Sequence, residues 1–393
     1  MTRHMIVTMP GDGIGRIVLP EALRVLDAVG FDAEYIPADI GWEFWKSEGN
    51  ALPERTIRLL EKHKLGLFGS ITSKPKDKAG AELDPALQHK GYVYYSPIVG
   101  MRQYFDLDLC IRPCRSFPGN PLNFIRRKGD GFEEPKIDVV IFRQNTEGLY
   151  SGVEWTNPPE NVRQALDTHI KMKKYAHVKS EDLAVSCRIF SAPACVRIVR
   201  AAFEHARKFG YKSVTVCEKP NVIRETSGMM LAQTRRTAGD FPEIELRSTN
   251  IDAQMMWMTK NPEDYGVIVS GNMFGDIASD GFAGLVGGLG FACSANIGRA
   301  VAVFEPTHGS APKYEHLKPS IVNPVAMILS ACMLLDYVGE TNKAKRIRTA
   351  IAKVIARGEV RTYDMLRLKG GPDVFKKGAA STQEMTAAII SEL

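Results

Sequence analysis

The chain has 393 residues, with 51 Lys and Arg against 45 Asp and Glu, a formal charge of +6. Its 44% hydrophobic and 24% charged residues exclude long disordered tracts, and its length suits two domains or one large interlocked α/β unit. The longest basic block, Arg126–Lys128, is too short for a nucleic-acid footprint, so the mild cationic excess points to an anionic small molecule.

In chain order, Met5–Met9 reads as a strand running into Pro10-Gly-Asp-Gly-Ile-Gly15. Arg16–Val29 then carries apolar residues at helical spacing and stops at Gly30. The glycine turn is spaced G-x-G-x-G rather than G-x-G-x-x-G, and no convincing acid follows it. It therefore reads as a structural turn, not a dinucleotide loop. Leu65–Phe68 is a second strand. Residues 73–92 are polar, Lys-rich and broken by Pro75, Gly80, Pro85 and Gly91, and are expected to form a mobile loop. Asp138–Phe142 is a strongly buried strand. Residues 152–182, with weak periodicity and the pair Pro158 and Pro159, read as an arm or linker. A helix capped by Ser191, with Pro193 in its first turn, ends at Gly210. Strands follow at Ser213–Val216 and Val267–Val269, and Asn323–Val338 is an apolar core helix. Strands alternating with helices define the α/β class.

The apolar run at the start of the chain is too short for a signal peptide. The longest apolar stretch, Ala326–Leu335, is interrupted by Ser330 and stopped by Asp336, too short to span a bilayer. Seven cysteines, including the C-x₃-C pair Cys110 and Cys114, complete no zinc pattern and read as buried free thiols. A cytoplasmic location is expected.

The most informative segment is Gly271–Gly290. A helix starting near Gly275 projects Asp276 and Asp280 from one face, one turn apart. Two acids side by side repel unless a cation lies between them, and all-oxygen ligation suits Mg²⁺ or Mn²⁺. The competing reading is a solvated helix face whose first acid serves the helix dipole. Seven surrounding glycines tilt the balance, because they suggest close packing or a ligand. Arg102, Arg112 and Arg143 form a second constellation. An Arg directly after a buried strand is costly unless it meets an anion, and guanidinium forks match carboxylates. Tyr150, seven residues after Arg143, reads as a proton donor near arginines and a metal, or else as a packing residue. Lys219, after the strand Ser213–Val216, reads as a base if desolvated and as a solvated strand end otherwise.

These residues, with Gly287–Gly290, Ser294–Gly298 and Phe304–Pro312, resemble the β-decarboxylating dehydrogenases: the isocitrate, isopropylmalate, homoisocitrate and tartrate enzymes. The resemblance covers essentially the whole chain. It implies the isocitrate/isopropylmalate dehydrogenase-like α/β fold, which is not a Rossmann fold, and a homodimer with shared active sites. It implies a large cofactor-binding domain over 1–108 and 288–393, a small substrate and dimerisation domain over 109–151 and 183–287, and a clasp-like arm over 152–182. By resemblance, Ser96, Arg102, Arg112 and Arg143 bind the substrate. Asp276 and Asp280 hold the metal with Asp252 of the other subunit. Tyr150 is the general acid, and Lys219, also from the other subunit, assists hydroxyl deprotonation.

The cofactor set implied is Thr72, Glu305, His308, Gly309, Lys313, Tyr314, Asn323, Tyr363 and Arg367. Lys313-Tyr314 stands where NAD-using members show an acid and an aliphatic residue, and Tyr363 and Arg367 resemble the 2′-phosphate contacts of NADP users, so NADP is expected. Tyr150–Trp155 resembles the isocitrate enzymes. Ser96-Pro-Ile-Val resembles homoisocitrate and isopropylmalate enzymes, because Ile98 stands where isocitrate enzymes have Asn. A lysine at 74, 76 or 78 is expected to compensate. Isocitrate is the leading substrate, homoisocitrate or 3-isopropylmalate the alternative, and a non-catalytic regulatory subunit the weaker alternative. Neither nucleic acid nor membrane is an expected partner.

Overall fold

The computed structural model describes residues 3–393, apart from the side chains of residues 76 and 77. Its centre is one ten-stranded sheet. In chain order the strands are β1 (His4–Gly11), β2 (Ala33–Pro37), β3 (Leu65–Ser70), β4 (Leu109–Arg115) and β5 (Asp138–Gln144). Then come β6 (Ser213–Glu218), β7 (Glu245–Asn250), β8 (Val267–Ser270), β9 (Cys293–Ile297) and β10 (Ala302–Pro306). Across the sheet the order is β7-β6-β8-β5-β4-β9-β10-β3-β1-β2. Pairing is parallel at both flanks and antiparallel through β5-β4-β9-β10. The strands flanking the middle read as unbroken apolar runs because helices cover both faces.

The helices that matter below are α1 (Gly15–Ala28), α2 (Pro97–Tyr104), α3 (Ala192–Phe209), α4 (Asn272–Leu285), α5 (Val325–Tyr337) and α6 (Thr341–Arg357). Helix α3 starts as expected: Ser191 Oγ accepts from the Ala194 amide, Pro193 lies in the first turn, and Gly210 ends the helix at φ 77°. Helix α5 is buried on nearly every side because it lies between α1, α6 and the sheet, which explains its almost uniformly apolar sequence. Each large apolar side chain so buried contributes about 1.5–3 kcal/mol.

The Gly11–Gly15 turn is a structural junction. Gly11 and Gly13 have φ of 70° and 55°, and a Cβ on either would lie 2.0 or 2.1 Å from a backbone oxygen of Ser70 or Ser310. Between them, buried Asp12 accepts from the amides of Trp42 at 2.7 Å and Thr72 at 2.8 Å, tying three loops together.

Residues 73–92, expected as a mobile loop, hold one short helix and are otherwise irregular. A short helix, Lys76–Ala81, buries Ala79, and Leu83 follows it inside; Trp45 Nε1 donates to the Ala79 carbonyl at 2.9 Å. Two tryptophans distant in sequence supply the apolar surface that this polar stretch lacks. Lys74 is engaged there too, 2.5 Å from Glu82 and over the Trp42 ring, while the side chain of Lys76 lies outside the described residues. In 152–182, Glu154–Thr156 pairs with Ala184–Ser186, and buried Arg163 donates to the Val178 and Tyr175 carbonyls. All seven cysteines are free, and six are buried. No described helix is long and apolar enough to cross a membrane.

Candidate active site

Strand register builds the centre of the site. In the antiparallel pairing of β4 with β5, Cys110 opposes Arg143 and Arg112 opposes Ile141. Opposed residues share a face, so Arg112 and Arg143 stand diagonally on the same side of the sheet. Helix α4 packs over that side, and Gly275 permits the approach: a Cβ there would lie 2.8 Å from the Arg143 Cβ.

One residue on, Asp276 Oδ1 accepts from Arg143 Nη1 at 2.5 Å and from Arg112 Nη1 at 3.0 Å. Arg112 also donates to Ser279 Oγ at 2.8 Å and Asp280 Oδ1 at 3.3 Å. Arg143 Nε donates to Asn272 Oδ1 at 2.9 Å. The helix starts at Asn272, three residues before the expected Gly275, so Asn272, Asp276 and Asp280 follow each other at four-residue spacing on one face.

The charges set the titration behaviour. Burial raises the Asp280 carboxyl above its usual value, Arg112 opposes that shift, and Asp276 adds to it. Arg143 is pushed down to about 10 by burial and by the Arg112 charge, and remains a cation at neutral pH. The Arg143 guanidinium carbon lies 5.7 Å from the centre of the Tyr150 ring. Burial, reinforced by the Asp276 charge, raises the Tyr150 phenol, so it carries its proton at neutral pH and can give it up only to a strong base.

The acids fit a hard divalent cation. Both guanidiniums converge on one oxygen of Asp276, Oδ1. Asp280 is 59% exposed, which leaves it open to a ligand. The arginines fit an anion. Arg102 Nη2 donates to Glu305 Oε1 at 2.8 Å, yet the Nε atoms of Arg102 and Arg112 are buried without any acceptor. An orphaned guanidinium N–H inside a cavity calls for a carboxylate. Ser96, Ile98, Arg102, Arg112 and Glu305 line that cavity, which is about 230 Å³.

A second cavity of about 410 Å³ adjoins it, lined by Gly290, His308, Gly309, Tyr314, Asn323 and Tyr363; His308 and Gly309 belong to both. Burial depresses the His308 imidazole, and its Nε2 is buried without a partner. Lys313 Nζ lies 4.7 Å from the Tyr314 ring centre, and Tyr314 packs edge-on against Tyr363 at 5.6 Å. Asn323 donates to Asp364 at 3.0 Å. Four members of the expected cofactor set do not line this cavity: Lys313, which reaches it only through the Tyr314 ring, and three that stand elsewhere. Arg367 donates to the Pro121 carbonyl at 3.1 Å, Thr72 meets Ser310 Oγ at 2.7 Å, and Glu305 lines the first cavity only.

Lys219 and Asp252 follow the neighbouring strands β6 and β7 and pair at 2.6 Å. The Lys219 hydrogen bond holds the Asp252 carboxyl below its usual value. Among the described residues no three His, Cys, Asp or Glu side chains gather into one metal-holding group, so within one chain Asp252 stands apart from Asp276 and Asp280.

Several working residues escaped the sequence reading. Asn272 and Ser279 orient the two arginines, and their positions four before and three after Asp276 were the available signal. Asn296 Nδ2 donates to Glu305 at 2.7 Å and its Oδ1 accepts from Asn145 at 2.9 Å, a buried network with no local sequence signature. Gln144 Oε1 accepts from the Glu147 amide at 2.8 Å and shapes the turn towards Tyr150.

Comparison with known proteins agrees with this geometry. The chain is 36% identical over 392 residues to an isocitrate/homoisocitrate dehydrogenase of Thermus thermophilus, covering 99% of this chain and 98% of that one. It is 37% identical over 387 residues to Protein DlpA of Legionella pneumophila, covering 98% of this chain but spanning only 58% of that longer protein. Isocitrate dehydrogenase from Methylococcus capsulatus superposes with a TM-score of 0.80 at 31% identity, over 99% of both chains. Residues 5–389 match the isocitrate/isopropylmalate dehydrogenase family as a whole, and the chain belongs to that family.

Proposed function

We propose that the protein is an NADP-dependent, metal-dependent isocitrate dehydrogenase, oxidising a 2-hydroxy tricarboxylate and releasing CO₂. The observation carrying this reading is the convergence of Arg112 and Arg143 on Asp276 beside a protonated Tyr150. When bound, Mg²⁺ or Mn²⁺ at Asp276 and Asp280 supplies Lewis-acid polarisation and NADP supplies the hydride acceptor.

The chain's residues do the rest. Arg102, Arg112 and Arg143 fix the carboxylates, and the orphaned Nε atoms of the first two gain their missing acceptors. Tyr150 delivers a proton to the carbon that loses CO₂. Lys219 and Asp252, paired and apart from the acids in their own chain, are presented to a second copy's cleft, where Lys219 takes up the hydroxyl proton and Asp252 completes the ligand set. A homodimer with shared sites follows. The large and small domains lie either side of the cleft, and the 152–182 segment, with Ile170 and Tyr175 exposed, serves as the clasp.

The cofactor assignment rests on Tyr314 and Tyr363, edge-on to each other at the second cavity, with Lys313 over the Tyr314 ring. A similar NADP isocitrate dehydrogenase of Thermus thermophilus, 33% identical over 392 residues, supports it, although this chain spans 68% of that protein. A second reading, homoisocitrate or 3-isopropylmalate as substrate, is favoured by Ile98, which puts an apolar surface beside Ser96 in the substrate cavity. Relatives named for these activities match at 34–38% identity. The presence of every proposed catalytic and metal-binding residue argues against a regulatory subunit. The test is kcat/KM on the three acids with Mn²⁺ and either NADP or NAD. Isocitrate with NADP is expected to lead, and a preference for another acid would transfer the assignment to it.

A further inference from the structure

A further cavity of about 580 Å³ does not touch the site above. It lies on the opposite face of the same sheet. In β4 the even-numbered Arg112 points to the carboxylates, while Ile111, Pro113 and Arg115 face this cavity. The register carries the division across the neighbouring strands: Val140 opposes Pro113, Ala295 opposes Ile111, and Phe304 opposes Ala295. Helix α3 walls one side and helices α5 and α6 the other, leaving the centre of the sheet uncovered between them.

The floor is apolar and the mouth is cationic. Phe209 and Tyr337 remain 50% and 47% exposed at its edge. Arg115, Lys208, Lys345 and Arg348 line it against a single acid, Asp336. Two of these cations are matched: Arg348 pairs with Asp336 at 2.5 Å and Arg115 with Asp138 at 2.7 Å. Lys208 from α3 and Lys345 from α6 line opposite walls with no acid partner among the described residues, and Lys208 Nζ lies 5.4 Å from the Phe209 ring centre. Within the cavity, His205 Nε2 is buried and unpartnered.

We propose that this cavity binds a small amphipathic organic anion, a medium-chain fatty carboxylate, with its hydrocarbon on the floor and its carboxylate between Lys208 and Lys345. The volume is that of a small-molecule site, and an apolar floor with few polar groups is the usual construction. An uncharged apolar ligand would leave the two lysines unused, and a polar metabolite would strand the floor against its charges. The ligand would touch α3 on one side and α5 and α6 on the other.

The test is isothermal titration of the full-length protein with decanoate, decanol and acetate. Decanoate is expected to bind saturably at one site per chain, with decanol at least about tenfold weaker and acetate silent. Lys208→Glu with Lys345→Glu is expected to weaken decanoate at least about tenfold without weakening decanol. Met333→Trp, which fills the floor, is expected to abolish binding. Unchanged circular dichroism and dehydrogenase turnover certify the fold of both variants, and a variant that misfolds is replaced by Ala352→Phe, which narrows the same wall. Equal affinity for decanoate and decanol, or binding indifferent to both variants, overturns the proposal. So does a change of oligomeric mass in Met333→Trp, which assigns the cavity to contact between copies.

Discussion

The two faces of β4 differ in how they treat charge. On the face carrying Arg112, every charge meets an opposite charge at hydrogen-bond distance, and the helix above is thinned by glycine to allow it. On the face carrying Ile111 and Pro113, apolar side chains line an open space and the unmatched cations stand at its rim. One strand serves both because successive side chains point to opposite sides. A dense guanidinium–carboxylate cluster holds reacting groups in place, whereas a loosely filled apolar face can be altered at little cost to them.

The contrast breaks most sharply at Asp276. Asp276→Asn is expected to abolish metal-dependent turnover, a loss of at least about a thousandfold in kcat with Mn²⁺. It should also lower stability by about 1–3 kcal/mol, because Arg112 and Arg143 lose a charged acceptor; thermal unfolding reads this. Near-normal kcat would remove Asp276 from the ligand set.

Gly275→Ala is a second, subtler break. The new methyl meets Arg143 Cβ at 2.8 Å, so the helix or the arginine must move. A fall in kcat of about tenfold to a hundredfold is expected, with a stability loss of about 1–3 kcal/mol. Gly284→Ala on the same helix, where a Cβ meets nothing within 4 Å, serves as the matched control and should leave both nearly unchanged.

Away from both faces, Lys313→Asp with Tyr314→Ile is expected to shift the ratio of kcat/KM for NADP over NAD by about tenfold or more towards NAD. An unchanged ratio would refute the 2′-phosphate reading.

The smallest effect sharpens the back face. Burial, aided by the nearby Arg115 and Lys208 charges and opposed by Asp138, lowers the His205 imidazole to about 4. A depressed folded pKa means that the unfolded chain binds the extra proton first. Stability should therefore be lost as pH falls from about 6.5 towards 4, and level off below. The slope of Tm with pH across that window should flatten in His205→Gln; an identical slope would place the titration elsewhere.

Much of this was written locally. The acids of α4, the buried strand that carries Arg143, the Ser191 cap and the core helix α5 all follow from spacing and capping, because periods of two and 3.6 are set by the backbone itself. The Gly11–Gly15 turn was legible as structural from its spacing, although not what it ties together. Within residues 73–92 the helix Lys76–Ala81 was missed because its apolar partners, Trp42 and Trp45, come from some thirty to forty residues earlier. The positions of Asn296 and Asn145 were illegible for a similar reason: they meet through strands 151 residues apart.

Sequence alone therefore pointed to candidate side chains for the chemistry and to most of the helices and strands, since both depend on residue type and short-range geometry. Only tertiary structure decided that Arg112 and Arg143 share one oxygen of Asp276, that Gly275 makes room for them, and that an empty apolar face lies behind. Those facts depend on strand register and on elements far apart in the chain, and no local pattern encodes either.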